Sequence, residues 1–287
     1  MPVFAPLARR GALIAAASLL GPVASASATT RAIIRRAPLT EAIGPREVAF
    51  LARDLGSGAE HALEDSDLGS RHAPWSTFKI PNLLIALETG VAADLDAARR
   101  WDSARRPAAP HWPAAWRRDH TLRSAFAASA VWYFQDVAKE VGTTRYRATL
   151  SRWRYGNAEV PDGSDSFWLG RGLTIAVSEQ VAFLAELLAG RLGVSQRSLA
   201  ALAQASWSGQ VGTALVHGKT GSGPVTPGEF RGPFEGWYCG FVVRPDASPV
   251  VFALFTRAPG FASLAAFRRE FSLQLLARIG VLPEPAG

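Results

Sequence analysis

Two short patterns in this chain place nucleophilic and cationic side chains where acyl-transfer chemistry needs them. Ser76-Thr77-Phe78-Lys79 sets a hydroxyl and an amine three residues apart. On a helix, positions i and i+3 share a face, so Lys79 can reach Ser76. A serine hydroxyl becomes a competent nucleophile only when a base takes its proton. A serine at a helix start also sits at the positive end of the helix dipole. The bare pattern is common, since an N-cap serine followed by a solvated lysine reads the same way. Lys219-Thr220-Gly221 narrows the choice. A lysine and a hydroxyl side by side at a strand edge suit a carboxylate-bearing substrate, and the glycine lets a substrate backbone come close.

These residues need a scaffold, and the apolar spacing supplies one. Phe78, Ile80, Leu83, Leu84 and Leu87 recur at helical intervals, so 76–88 reads as a helix with Gly90 as its stop. Pro81 falls near the first turn of that helix, where a missing N–H is tolerated. Residues 47–52 read as a strand, closed by the turn Gly56-Ser57-Gly58. The middle is helical at 121–127, 132–141 and 143–153, with Gly142 as a C-cap. Ser178 is the expected N-cap of a helix through Leu188, ended by Gly190, and 195–204 is another helix. Strands follow at 214–218, 237–244 and 250–256, then a helix at 264–279. Residues 101–120 hold three Trp, three Pro and many charges, which reads as an irregular connection. Strand and helix, then helices, then strands and a helix is an α+β order with a helical insertion at about residues 90–210.

The N-terminus looks like a targeting segment. Arg9-Arg10 precedes an apolar run over 11–20, and Ala24-Ser25-Ala26 and Ala26-Ser27-Ala28 both offer cleavage sites. Residues 1–28 are therefore expected to be a signal peptide and 29–287 one catalytic domain, periplasmic or secreted, with no membrane anchor once processed. An uncleaved anchor is the alternative, and the arginine pair also suits a twin-arginine route. Cys239 is the only cysteine, which excludes an internal disulfide. Its surroundings, Trp237 to Val243, read as a buried strand, so an inert packed thiol is expected. The net charge of +7 comes from scattered Lys and Arg, with no basic run of the kind that binds nucleic acid. His72, His111 and His120 are dispersed, and no His/Cys/Asp/Glu cluster has metal-ligand spacing, which disfavours a zinc-dependent mechanism. His217 alternates onto the same strand face as Lys219 and is expected to be a packed or edge histidine.

Ser-x-x-Lys and Lys-Thr-Gly together are signatures of serine β-lactamases and penicillin-binding proteins. The Ser-Asp-Asn of class A enzymes is absent. With Ser76-Thr77-Phe78-Lys79-Ile80-Pro81-Asn82, Ser129-Ala130-Val131-Trp132-Tyr133-Phe134-Gln135, Tyr155-Gly156-Asn157, Phe167-Trp168-Leu169, Lys219-Thr220-Gly221 and Gly236-Trp237, the chain resembles the class D (OXA-type) serine β-lactamases from about residue 47 to residue 280. That resemblance implies an antiparallel sheet flanked by N- and C-terminal helices, plus the inserted helical subdomain. It implies no separate cofactor, but a CO2-derived carbamate on Lys79 acting as general base on Ser76 and then on water. An amine buried among Phe78, Val131 and Trp168 loses its charge easily, which frees it for that reaction. Trp168 would donate its indole N–H to the carbamate, and Val131 would form an apolar wall. Ser129 would relay a proton to the leaving nitrogen, assisted by Lys219. Thr220 and either Arg268 or its neighbour Arg269 would bind the substrate carboxylate. The backbone N–H groups of Ser76 and Ser222 would form the oxyanion hole beside Gly221. Tyr155 and Asn157 would shape the site wall.

The chain departs from the family pattern in Trp101-Asp102-Ser103, in Trp75 before the nucleophile and in Ser222 after Lys-Thr-Gly. These bear on which β-lactams fit. A β-lactam sensor domain or a penicillin-binding transpeptidase would use the same serine and differ in whether water removes the acyl group.

Overall fold

The computed structural model describes residues 30–284; the expected signal segment lies outside the described residues. The first strands are β1 (Arg31–Ile34), β2 (Glu47–Asp54) and β3 (Glu60–Leu63), with the single turn of helix α1 (Thr40–Ile43) between β1 and β2. Helix α2 (Lys79–Glu88) follows. A two-residue ladder, β4 (Ala98–Arg99) with β5 (His120–Thr121), brackets the irregular stretch. Next come α3 (Leu122–Ala128), α4 (Val131–Val141), α5 (Thr143–Arg152), α6 (Val177–Leu188) and α7 (Gln196–Ser206). The chain then returns through β6 (Trp207–Val211), β7 (Ala214–Pro224), β8 (Phe234–Arg244) and β9 (Ala247–Ala258) to α8 (Phe267–Arg278).

Seven strands form one sheet in the order β1-β3-β2-β9-β8-β7-β6. The fold is α+β, as expected, and the sheet is antiparallel except where β1 pairs parallel to β3 at its edge. The helix expected to flank it from the N-terminal side is no more than the turn α1. Both faces of the central strands are covered, so β2 carries the unbroken apolar run Val48 to Ala52. Ala49 and Leu51 belong to the core on the side where β2 meets α6, while Phe50 and Ala52 belong to the other core, with Phe271, Leu275 and Leu276 of α8. Alternation along a strand makes this split.

Local chemistry explains most helix ends. Thr121 caps α3 by accepting from the Ser124 N–H at 3.2 Å, and Ser195 caps α7 by accepting from the Ser198 N–H at 3.2 Å. Gly142 separates α4 from α5 with φ of 82°. Ser178 is not the cap of α6. It lies inside the first turn and donates to the Leu68 carbonyl at 2.8 Å, while Glu179 accepts from the Ala176 N–H at 2.9 Å. The side chain behind Ser178 found a partner in a distant loop, and the acid took over the helix end. Residues 101–120 are irregular apart from a 3-10 turn at Ala114–Trp116. They are braced by Trp116 Nε1 donating to the Ala128 carbonyl (2.8 Å) and Trp132 Nε1 to the Trp116 carbonyl (2.7 Å).

Candidate active site

Ser76 lies in a 3-10 turn, Trp75–Phe78, and the α-helix begins only at Lys79. The tighter turn keeps the i, i+3 relation, and Lys79 Nζ donates to Ser76 Oγ at 2.9 Å. The Lys79 side chain has no exposed surface. Burial, followed by the positive charge of Lys219, pushes its pKa well below the ordinary lysine range. The Phe134 ring, with its centroid 5.3 Å from Nζ, closes one side of this chamber. Phe78 stacks on Trp168 at 5.4 Å between centroids. Trp168 is fully buried, yet its indole Nε1 has no partner among the described residues. A buried donor without an acceptor costs about 1–3 kcal/mol, so such groups usually answer to something that binds beside them.

The second wall is β7. Lys219, Thr220, Gly221 and Ser222 pair with Cys239, Tyr238, Trp237 and Gly236 of β8. On the other side, β6 pairs with β7 only up to His217, so the four residues keep an open edge. Gly221 is required there. A Cβ on it would come within 2.8 Å of the Pro74 carbonyl and 3.0 Å of the Ser76 and Thr77 nitrogens. The nucleophile turn therefore rests directly on the strand. Lys219 is buried, and its Nζ donates to the Thr220 carbonyl at 3.0 Å. Burial and the nearby Arg268 charge hold its pKa at about 7.

The C-terminal arginines separate cleanly. Arg269 donates from Nε to Ser208 Oγ (3.2 Å) and from Nη2 to the Ser208 carbonyl (2.8 Å), which ties α8 to β6. Arg268 is buried, and its Nε and Nη1 have no partner among the described residues. Desolvation lowers its pKa to about 10. A guanidinium with two idle donors beside Lys219 is equipped to take a carboxylate.

Ser129 is the C-cap of α3, in the left-handed region at φ 58°, and Val131 opens α4 two residues later; both are half-buried. The end of α3 reaches the Lys219 wall through Phe126, whose ring centre lies 5.8 Å from Lys219 Nζ.

Tyr155 has no exposed surface and sits edge-on to Phe78 and Phe183, and its hydroxyl has no partner among the described residues. Asn157 is engaged with the backbone. Its Nδ2 donates to the Gly172 carbonyl (2.9 Å) and its Oδ1 accepts from the Thr174 N–H (3.0 Å). Together with Gly156, whose φ of 56° and contact with the Thr174 carbonyl exclude a side chain, they fasten the base of the loop that carries Trp168. Trp75 is 8% exposed, with its ring against Gly170 and Gly223. Cys239 is a buried thiol pushed up to about 12, and His217 is packed on Phe241 with Nδ1 against the Ala203 carbonyl, as expected for both.

Residues the motifs did not flag also support the site. Gln180 Nε2 donates to Thr77 Oγ1 at 3.0 Å, and Arg106 Nη2 bridges Asp136 and Asp165 at 2.9 Å each. Neither partner set has a sequence signature, because each joins segments far apart in the chain.

A sheet with a serine-bearing turn against one face, a buried lysine on the serine and a Lys-Thr-Gly strand alongside defines a serine acyl-enzyme of the penicillin-recognising fold. A family model described as the penicillin-binding protein transpeptidase domain matches residues 52–270. Beta-lactamase OXA-48 of Klebsiella pneumoniae is 37% identical over 173 residues, spanning 60% of this chain and 62% of that enzyme. Beta-lactamase OXA-10 of Pseudomonas aeruginosa is 34% identical over 211 residues, spanning 74% of this chain and 76% of that enzyme. Among solved structures, the class D beta-lactamase YbXI from Nostoc superposes with a TM-score of 0.77 at 26% identity, covering 86% of this chain and 98% of that one. The chain belongs to the class D β-lactamase family.

Proposed function

We propose that this chain hydrolyses β-lactam antibiotics through an acyl-enzyme on Ser76, with Lys79 in its carbamylated form as the general base. The observation that carries the reading is the pairing of a buried amine, its pKa pushed well down, on Ser76 Oγ with an idle indole N–H at Trp168. A carbamate on Lys79 supplies a negatively charged base within a desolvated chamber. The residues present fit it. The depressed pKa of Lys79 leaves the amine free to take CO2, and Trp168 has the donor such a group needs.

In the same reading the remaining residues take the following roles. Ser76 loses its proton to the Lys79 base as Oγ attacks the β-lactam carbonyl. The Ser76 and Ser222 N–H groups hold the developing oxyanion, which Gly221 permits by its close approach. Ser129 hands a proton to the departing nitrogen, and the positive charge of Lys219 favours the negatively charged states of that relay. Thr220 and Arg268 bind the substrate carboxylate. Phe134 and the half-buried Val131 keep bulk water from the base, and the same base then activates one water to release the product. Asn157 serves by holding the Trp168 loop, and Tyr155 by packing behind Phe78.

The processed protein would comprise residues 29–287 and act in the periplasm or outside the cell. Among the described residues, no helix is long and apolar enough to cross a membrane. The reading is tested by mixing purified protein with a chromogenic cephalosporin. Many turnovers, accelerated by added bicarbonate, support hydrolysis. A single burst equal to the enzyme concentration supports the sensor or transpeptidase alternative instead.

A further inference from the structure

The residue before the nucleophile joins three parts of the site that the chemistry requires to stay in register. Trp75 has a φ of 49°, a left-handed conformation that a bulky side chain adopts only when its surroundings impose it. Three contacts impose it. The Trp75 N–H donates to the Trp168 carbonyl at 3.1 Å, which ties the nucleophile turn to the loop holding the idle indole. The Trp75 ring lies flat on β7 at Gly223, where any Cβ would fall 2.2 Å from the ring, and its far edge meets Gly170 of the same loop. Its indole Nε1 donates to Glu235 Oε2 at 3.3 Å. Glu235 is the cross-strand partner of Gly223, so ring and N–H grip one point of the sheet.

Glu235 is itself fixed. It is buried and accepts from Arg257 Nη2 at 3.2 Å, with His72 Nδ1 also at 3.2 Å. His72 exchanges backbone hydrogen bonds with Ile175, at the end of the Trp168 loop. The circuit runs from Ser76 through Trp75 to the sheet, then through His72 back to the loop. A smaller residue at position 75 would keep the backbone bond to Trp168 but lose the ring and indole contacts that tie the nucleophile turn to Gly170 and to the Gly223–Glu235 point of the sheet.

We infer that Trp75, anchored on Glu235, is a positioning residue that fixes Ser76 Oγ relative to Trp168 and to the oxyanion-binding strand. The inference rests on the acyl-enzyme reading above. Trp75 touches no reacting atom. Its effect is to set the distances over which Ser76 is acylated and the Lys79 base is held.

The test is a double-mutant cycle on the processed chain, using Trp75→Phe, which keeps a ring and removes the N–H, and Glu235→Leu, which keeps bulk and removes the acceptor. Acylation rate constants are measured per active site, titrated by covalent β-lactam, so that loss of folded protein does not count. Bicarbonate half-saturation is read from a 13C-labelled carbamate signal. Each single variant should acylate about threefold to tenfold more slowly, the scale of one lost hydrogen bond, and should need more bicarbonate. The double variant should be no slower than the worse single, because both act through one contact. Wild-type acylation and bicarbonate dependence in Trp75→Phe, or losses that multiply in the double variant, would overturn the inference. A wild-type chain that never acylates would sink the enzymatic reading itself, a result visible before any variant is made.

Discussion

Lys79 Nζ donates to Ser76 Oγ at 2.9 Å from a side chain with no exposed surface. Among the described residues no carboxylate pairs with this lysine, and its one charged neighbour of consequence, Lys219, is also positive. An ammonium there would lack both water and a counter-charge. Burial and the Lys219 charge therefore both favour the neutral amine, in contact with the Ser76 hydroxyl. The mechanistic expectations below derive from that relationship.

Replacing Lys79 with Ala removes the base from both half-reactions. Turnover should fall by about 10²- to 10⁴-fold, the usual worth of a positioned base. The residual acylation should leave Ser76 trapped, seen as a persistent mass increase on the intact protein after exposure to a penicillin. Normal turnover in Lys79→Ala would remove the base from the account.

Trp168→Phe keeps the stacked ring and deletes the idle N–H. In bicarbonate-free buffer the variant should be about as stable as wild type, since the deleted donor had no acceptor. Added bicarbonate should raise the wild-type Tm, because a group that forms only in the folded state stabilises it by mass action. The Tm of Trp168→Phe should respond less. Equal responses in the two proteins, read by calorimetry, would separate Trp168 from the lysine chemistry.

Arg268 and Arg269 make a matched pair for substrate binding. Arg268→Ala should raise KM for carboxylate-bearing β-lactams by about 10- to 100-fold, as expected for one charge-assisted contact. Arg269→Ala should leave KM close to wild type and instead lower the melting temperature, because its donors are spent on Ser208. The reverse pattern in steady-state kinetics would reassign the carboxylate site.

Lys219 gives a pH signature in stability. Its pKa is about 7 in the folded chain against 10.5 when free, so between those values the unfolded chain binds the extra proton. Stability should rise with pH across that window; the penalty is absent above the unfolded value and complete below the folded one. Urea midpoints measured without bicarbonate should climb from pH 7 to 10 in wild type and climb less in Lys219→Met. A negative charge on Lys79 would draw the Lys219 titration upward, so bicarbonate should shift the window toward higher pH.

Much of this was legible in the sequence, for identifiable reasons. Periodicity located α4, α5, α7 and α8, since each buries one stripe against the sheet or its neighbours, while α2 is buried on all sides from Lys79 to Ala86 and was legible from its apolar content and the Gly90 stop. The strands β8 and β9 are largely apolar runs between turn residues, whereas β7 is apolar only over Ala214–Val216, so its Lys219–Pro224 half lay beyond the expected strand. By contrast, β1 and β3 carry only four residues each, too few to show alternation. Ser178 looked like a cap because cap preference is local, whereas its real partner, Leu68, is remote. The motif residues Ser76, Lys79, Lys219 and Gly221 meet because contact between them is what the motif encodes. Tyr155-Gly156-Asn157 marked the family without revealing its task. A buried ring and a backbone staple read the same as a site wall until the Trp168 loop is seen above them. Choosing Arg268 over Arg269 required Ser208, and the anchoring of Trp75 required Glu235. No spacing rule connects those pairs.

The most direct measurement of the central claim follows Ser76 itself. Wild-type enzyme is mixed with an excess of penicillin in bicarbonate buffer and sampled by intact-protein mass spectrometry while product is quantified. The expected result is an adduct on the Ser76 peptide that forms and clears within each turnover, with hydrolysed product accumulating far beyond the enzyme concentration. An adduct that reaches one per chain and stays there, with product no greater than enzyme, would contradict it.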